Sequence, residues 1–279
     1  MKIGVSTYSF NSYVKATGAD IFAVCDKAKE LGFDYIEFVA LPGNDQINLA
    51  KSLKQHCADI GLEIYSYVVG ANFLADDILE EVKKVKFQID VAKNLGAKVF
   101  RHDVCYALKK EPFYDYKKAI VDMTPYIKEV SLYAKNYGIK TCTENHGFIF
   151  QAPNRMEELI LSVNEDNYGW LLDIGNFLCD DVLPEYGSKI ASKYTCLMHA
   201  KDFLFKSGDA PMPNGYSITT NGGNYIRGTV IGHGVVPVFK CINILKKAGY
   251  DGCITIEFEG PEDNIYALEN SLKYLKNII

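Results

Sequence analysis

The chain has 279 residues, 48% of them hydrophobic, and its 30 Lys and Arg against 35 Asp and Glu give a formal charge of −5. That is ample material for one large core, and without a basic cluster neither nucleic acid nor an anionic membrane surface is expected as a partner. No apolar run approaches the roughly 20 residues of a membrane span, and Met1-Lys2-Ile3-Gly4-Val5 enters a strand pattern without a leader, so a cytoplasmic protein is expected.

Along the chain one phrase recurs: an amphipathic helix, a Gly, then a short apolar strand. It occurs at Gly32 before Tyr35-Ile36-Glu37-Phe38, at Gly61 before Ile64-Tyr65-Ser66-Tyr67, and at Gly96 before Val99-Phe100-Arg101. It returns at Gly138 before Lys140-Thr141-Cys142-Thr143-Glu144 and at Gly249 before Cys253-Ile254-Thr255-Ile256-Glu257. Gly directly after a helix is a stop signal, because it takes positive φ without a Cβ penalty. The spacing of Ile21, Val24, Cys25, Ala28 and Leu31 draws one apolar stripe down a helix. Strands are predicted near 3–9, 34–39, 62–69, 97–103, 139–145, 168–174, 194–200 and 252–258. Helices are predicted near 19–31, 45–59, 76–94, 115–136, 153–163, 181–191, 237–248 and 263–277.

Strict alternation with buried strands means a parallel sheet covered by helices. Eight units predict closure into a (β/α)8 TIM barrel, a single domain over 1–279. The competing fold, an open Rossmann sheet, is weakened because no GxGxxG follows any strand. One long stretch, about 203–236, reads as an irregular β7–α7 loop and is expected to act as a lid or substrate loop. The eight cysteines lie singly, with no CxxC pair, and read as reduced core residues rather than disulfides or a zinc-thiolate site.

In such barrels chemistry sits at the C-terminal ends of the strands. Four consecutive strands end in charged or imidazole groups: Glu144-Asn145-His146, Asp173-Ile174-Gly175-Asn176, His199-Ala200-Lys201-Asp202 and Glu257-Phe258-Glu259. A charge that follows an apolar run such as Tyr168-Gly169-Trp170-Leu171-Leu172 costs desolvation energy unless it is paired or bound to metal. Three carboxylates and one imidazole on one rim suit a divalent ion that prefers O and N ligands.

These segments, with Gly232-His233-Gly234-Val235-Val236-Pro237 and Gly249-Tyr250-Asp251-Gly252, resemble the sugar phosphate isomerase/epimerase superfamily, the xylose isomerase-like barrel. The superfamily includes ketose 3-epimerases, hydroxypyruvate isomerases, inosose dehydratases and endonuclease IV. The resemblance covers essentially the whole chain and is strongest from the fifth strand onward. It implies Glu144, Asp173, His199 and Glu257 as ligands of one divalent metal, Mn2+ ahead of Mg2+, Co2+ or Zn2+. It also implies Glu144 and Glu257 as the groups that exchange protons with the substrate carbon on opposite faces of an enediolate. Two departures count against a plain ketohexose 3-epimerase: Asn176 stands where those enzymes carry His, and Gly232-His233-Gly234 replaces a common Gly-Glu-Gly.

His146 shares the parity of Glu144 and is a candidate general acid/base, its ordinary pKa being about 6.5. Lys201, Arg101, Glu37, Arg227 and Glu259 are candidate substrate contacts. The bland alternatives are a Lys201–Asp202 ion pair, an Arg101–Asp103 pair and a solvated Arg227. The leading expectation is a metal-dependent sugar isomerase or epimerase. The alternative is a lyase acting on a 3-keto sugar, because the resemblance extends to C-glycoside deglycosidase large subunits and to inosose dehydratases. The expected partners are a sugar or glycoside substrate and an oligomer, with a small second subunit in the deglycosidase case. A nuclease lacks the histidines it would need, and a non-enzymatic binding module would hold no tight metal.

Overall fold

A computed structural model describes all 279 residues. Eight parallel strands close a barrel: β1 (Lys2–Ser6), β2 (Tyr35–Val39), β3 (Glu63–Val69), β4 (Val99–His102), β5 (Lys140–Glu144), β6 (Tyr168–Asp173), β7 (Thr195–Ala200) and a last strand, β11 (Cys253–Ile256), which pairs with both β7 and β1. Eight helices cover it: α2 (Ile21–Leu31), α3 (Gln46–Asp59), α4 (Ile78–Leu95), α5 (Tyr116–Lys135), α6 (Pro153–Val163), α7 (Pro184–Ala191), α8 (Val238–Lys247) and α9 (Asn264–Ile278). The helix-stop reading holds at Gly32, Gly61, Gly96, Gly138 and Gly249, all with φ between 68° and 90°. At the other end of α2, the Asp20 side chain accepts from Ala23 N, and Val24, Cys25 and Ala28 are buried. Removing such a stripe from water stabilises by about 25 cal/mol per Å² of apolar surface.

The barrel interior is layered by the two-residue period of its strands. Tyr35, Val99, Cys142, Leu171, Leu197 and Cys253 form an apolar plug together with Val68. The Tyr35 ring crosses the lumen so closely that a Cβ on Gly4 would lie 2.2 Å from it, which is why β1 carries glycine there. Two residues further along the same strands come Glu37, Arg101, Glu144, Asp173, His199 and Thr255. An apolar residue at one position therefore aims a polar one, a pleat later, into the mouth above the plug.

Two expectations are corrected. A short helix, α1 (Asn11–Thr17), escaped the sequence reading because it has no buried residue and so no apolar stripe. The stretch 203–236 is not an irregular loop. Within it and the adjoining Asp202, β8 (Asp202–Lys206), β9 (Ile218–Thr219) and β10 (Tyr225–Thr229) form an antiparallel sheet in the order β8-β10-β9, Phe203 opposite Gly228 and Tyr225 opposite Thr219. Asp202 ties its return down: the carboxylate accepts from the backbone N–H of Phe203, Gly232, Gly234 and Val236 at 2.8–3.0 Å. A Cβ on Gly234 would lie 2.2 Å from Asp202 Oδ1, so the fourfold acceptor requires a bare backbone there. The eight cysteines are free thiols, seven of them buried.

Candidate metal and sugar site

Glu144, Asp173, His199 and Glu257 meet at the barrel mouth, each offering one ligand atom, with these atoms all within 4.8 Å of one another. Asp173 is held from both sides. Asn145 accepts from Asp173 N and Trp170 Nε1 and donates to the Asp173 carbonyl, which locks the strand end. Asp173 Oδ1 accepts from the N–H groups of Gly175 and Asn176 at 2.7 and 2.9 Å. Its Oδ2 is buried with no hydrogen-bond partner; Lys201 Nζ, 3.2 Å away, is misdirected for one. His199 Nε2 lies 3.0–3.1 Å from both oxygens of Glu37, and its Nδ1 is buried without a hydrogen bond, 3.7 Å from Glu257 and 3.9 Å from Glu144.

Buried orphan atoms are costly and call for an explanation. A divalent cation among the four residues would meet Asp173 Oδ2 and His199 Nδ1 together, and its carboxylate and imidazole donors suit Mn2+, Mg2+, Co2+ or Zn2+. The residues present therefore fit a metal. The charge balance agrees. Glu37, Asp103, Glu144, Asp173, Glu257 and Glu259 gather around two permanent cations, Arg101 and Lys201. Burial, reinforced by Glu144 and Glu257 and opposed by Lys201, pushes Asp173 up to about 6. Glu37 and Glu257 outweigh burial and favour positive charge on the His199 ring.

The other candidates fall into three groups. Lys201 and Arg101 belong to the site. Lys201 is buried and pairs with Glu257 at 2.6 Å and Glu259 at 3.5 Å, and it donates to Asn176 Oδ1. The alternative of a Lys201–Asp202 ion pair does not hold, because the Asp202 carboxylate accepts from four backbone N–H groups. Lys201 and His199 together outweigh burial and hold Glu257 well below the usual carboxylate range. Arg101 joins Asp103 at 2.7 Å and Glu144 at 2.8 Å, so its pairing with Asp103 is only half of its role. Asn176, the departure from the 3-epimerase pattern, donates to Glu144 Oε1 at 2.9 Å and links that carboxylate to Lys201.

His146 sits half-exposed at the mouth, its Nδ1 3.2 Å from Asp103 Oδ1. Burial of the ring lowers its pKa, but the Asp103 hydrogen bond and the Glu144 charge more than offset this and raise it. With Tyr8, Arg101, Glu144, Lys201, Glu257 and Glu259 it lines a cavity of about 270 Å³.

Glu37 and Arg227 stand elsewhere. Glu37 is fully buried behind His199, accepting also from Ser66 Oγ at 2.6 Å, and so it is not a substrate contact. Parity put it in the lumen correctly; depth along the barrel axis decided its role. Arg227 lies on β10 and pairs with Glu262 at 3.3 Å, outside the cavity. Asn145, Asn176 as a tether, and Tyr8 were missed, because their signal is a cross-strand hydrogen bond or a lining position that spacing within one segment does not encode.

An eight-stranded parallel barrel with a polar cluster at its C-terminal rim defines a (β/α)8 enzyme scaffold. The chain belongs to the xylose isomerase-like TIM barrel family, whose pattern matches residues 25–278. Among solved structures it is similar to the IOLI protein with a bound zinc atom, at 17% identity, TM-score 0.76, covering 100% of this chain and 98% of that one. It is also similar to a xylose isomerase-like TIM barrel protein from Mycobacterium smegmatis in complex with magnesium, at 18% identity, TM-score 0.74, covering 99% and 96%. D-psicose 3-epimerase from Clostridium cellulolyticum H10, solved with D-tagatose, gives 16% identity, TM-score 0.76, and coverage of 100% and 99%. At these identities the likeness is one of fold. No curated protein sequence matches the chain. No helix is long and apolar enough to cross a membrane.

Proposed function

We propose that the protein is a divalent-metal-dependent sugar isomerase or epimerase, with Glu144, Asp173, His199 and Glu257 as the metal ligands and Mn2+ as the favoured ion. The observation that carries this reading is the convergence of those four residues' ligand atoms within 4.8 Å, where Asp173 Oδ2 and His199 Nδ1 are buried without a hydrogen bond. A bound divalent ion supplies Lewis-acid polarisation of a carbonyl and stabilises negative charge on its oxygen. Glu257, paired with Lys201 at 2.6 Å, removes the proton from the carbon beside the carbonyl. Glu144, steadied by Arg101 and Asn176, takes a proton from solvent at the open end of the cavity and delivers it on the opposite face, while Glu257 releases its own to solvent. Lys201 and Glu259 bind sugar hydroxyls, and His146 moves protons at the open end of the cavity. The substrate is a small sugar or glycoside handled in the cytoplasm by an oligomer of this chain. The test is solvent deuterium incorporation into ketoses and 3-keto-glycosides by the Mn2+-loaded protein. Exchange at the carbon beside the carbonyl is expected, and none across the panel would overturn the reading.

One observation favours a second reading, a lyase. His146 is held toward its protonated form by Asp103 at the mouth, where it could protonate a departing group. Loss of a β-substituent from a 3-keto sugar would then follow proton removal, and a small partner subunit would fit a deglycosidase. Among the structural neighbours are a probable 3-DHS dehydratase and a 3-keto-D-glucoside 4-epimerase.

A further inference from the structure

The cavity over the carboxylates does not end there. Its wall at Ala40, Val69 and Gly70 is shared with a second cavity of about 590 Å³, which runs outward along α4 toward Tyr106 and Phe87. The first, at about 270 Å³, falls just below the usual span of ligand sites, about 300 to 1,000 Å³, a size suited to a single small ring. Ala40 and Gly70, which line both cavities, carry almost no side chain, so little bulk separates the two there. A Cβ on Gly70 would lie 2.6 Å from Tyr106 Oη, the far end of an exposed side chain that leans over the backbone at the junction.

The chemistry of the second cavity is neutral. Its charged residues cancel locally, Lys83 lying 3.6 Å from Glu80 and Lys84 3.9 Å from Glu81. The Gln88 amide is occupied, accepting from Tyr67 Oη and donating to Gln46 Oε1. What is offered to a ligand is the exposed rings of Phe87 and Tyr106, with the buried Val69 and Val85 behind them. Exposed aromatic rings beside a polar site suit the apolar face of a ring, with edge and stacking contacts adding to area burial.

We propose that this groove is an aglycone subsite, and that the natural substrate is a glycoside whose reacting sugar sits over the carboxylates while an uncharged second ring lies between Gly70, Phe87 and Tyr106. The inference rests on the function proposed above. The test compares two probes that share the reacting ring, 4-nitrophenyl 3-keto-glucopyranoside and free 3-keto-glucose. Their binding to the Mn2+-loaded protein is measured by isothermal titration, with solvent deuterium exchange read on the same samples.

Wild type is expected to hold the glycoside about tenfold more tightly than the free sugar. Tyr106→Ala and Phe87→Ala, both on exposed side chains that line only the second cavity, should each remove the difference and leave binding of the free sugar unchanged. If wild type binds both probes alike while exchanging deuterium, the function stands and the subsite falls. Equal weakening of both probes by the two variants would also overturn the subsite. If neither probe binds nor exchanges, the proposed function falls and the subsite with it.

Discussion

Glu37 was expected to touch substrate; the structure puts it behind His199, and the two roles make opposite predictions. Its carboxylate holds Nε2 at 3.0–3.1 Å and thereby aims the unpartnered Nδ1 at Glu144 and Glu257. Groups that orient a metal-binding histidine contribute about 10–100-fold in metal affinity. Glu37→Gln keeps an oxygen for Nε2 to donate to but loses the charge, so its affinity for Mn2+ should fall about tenfold, near 1.4 kcal/mol. Glu37→Ala leaves Nε2 unpaired inside the barrel and frees the ring to turn, so its loss should approach a hundredfold, about 2.7 kcal/mol. Titration against a chromophoric chelator measures both values directly, without any substrate. Turnover at saturating Mn2+ should largely recover in Glu37→Gln. Unchanged metal affinity in both variants, with KM for sugar raised, would refute the reasoning and restore Glu37 to substrate contact.

Other expectations follow from single residues. His146→Ala should keep its metal while turnover falls about 10²-fold, the usual scale of general acid–base catalysis; loss of metal would make His146 a ligand, and loss confined to bond cleavage with deuterium exchange retained would favour the lyase. Asp202→Ala should cost about 3–5 kcal/mol in urea unfolding, because four backbone N–H groups lose a charged acceptor at once; a change under about 1 kcal/mol would mean water replaces it. His102 is fully buried, with Nε2 unpartnered, and burial lowers its pKa to about 4. The unfolded chain, near the ordinary 6.5, takes the proton first, so this contribution is intact above about pH 6.5 and declines by up to about 1.4 kcal/mol per unit between 6.5 and 4. The decline should be absent from His102→Phe in paired unfolding curves, and parallel curves would refute it.

The strand-end residues were legible because the barrel uses one period throughout. Leu171 then Asp173, Leu197 then His199 and Cys142 then Glu144 each place an apolar residue and a charged one on the same face. What the period does not encode is height. Glu37 and Glu144 have the same parity, yet one ends buried behind His199 and the other opens on the cavity. The β8–β10 pairing was missed because 18 residues rich in Gly and Pro separate its two strands. Its alternation of Phe203 and Phe205 is too brief to stand out from a loop. The tethering role of Asn145 has no local signal at all, since it bonds to Trp170 and Asp173 on the neighbouring strand.

The central claim is that Glu144, Asp173, His199 and Glu257 hold one divalent ion, and isothermal titration of the chelator-treated protein with Mn2+ tests it most directly. One site per chain is expected for the wild type and no measurable binding for Asp173→Asn, whose side chain would no longer bring charge to the buried Oδ2 position. A wild-type protein that binds no Mn2+, Mg2+, Co2+ or Zn2+, or an Asp173→Asn variant that binds as well as wild type, would contradict the account.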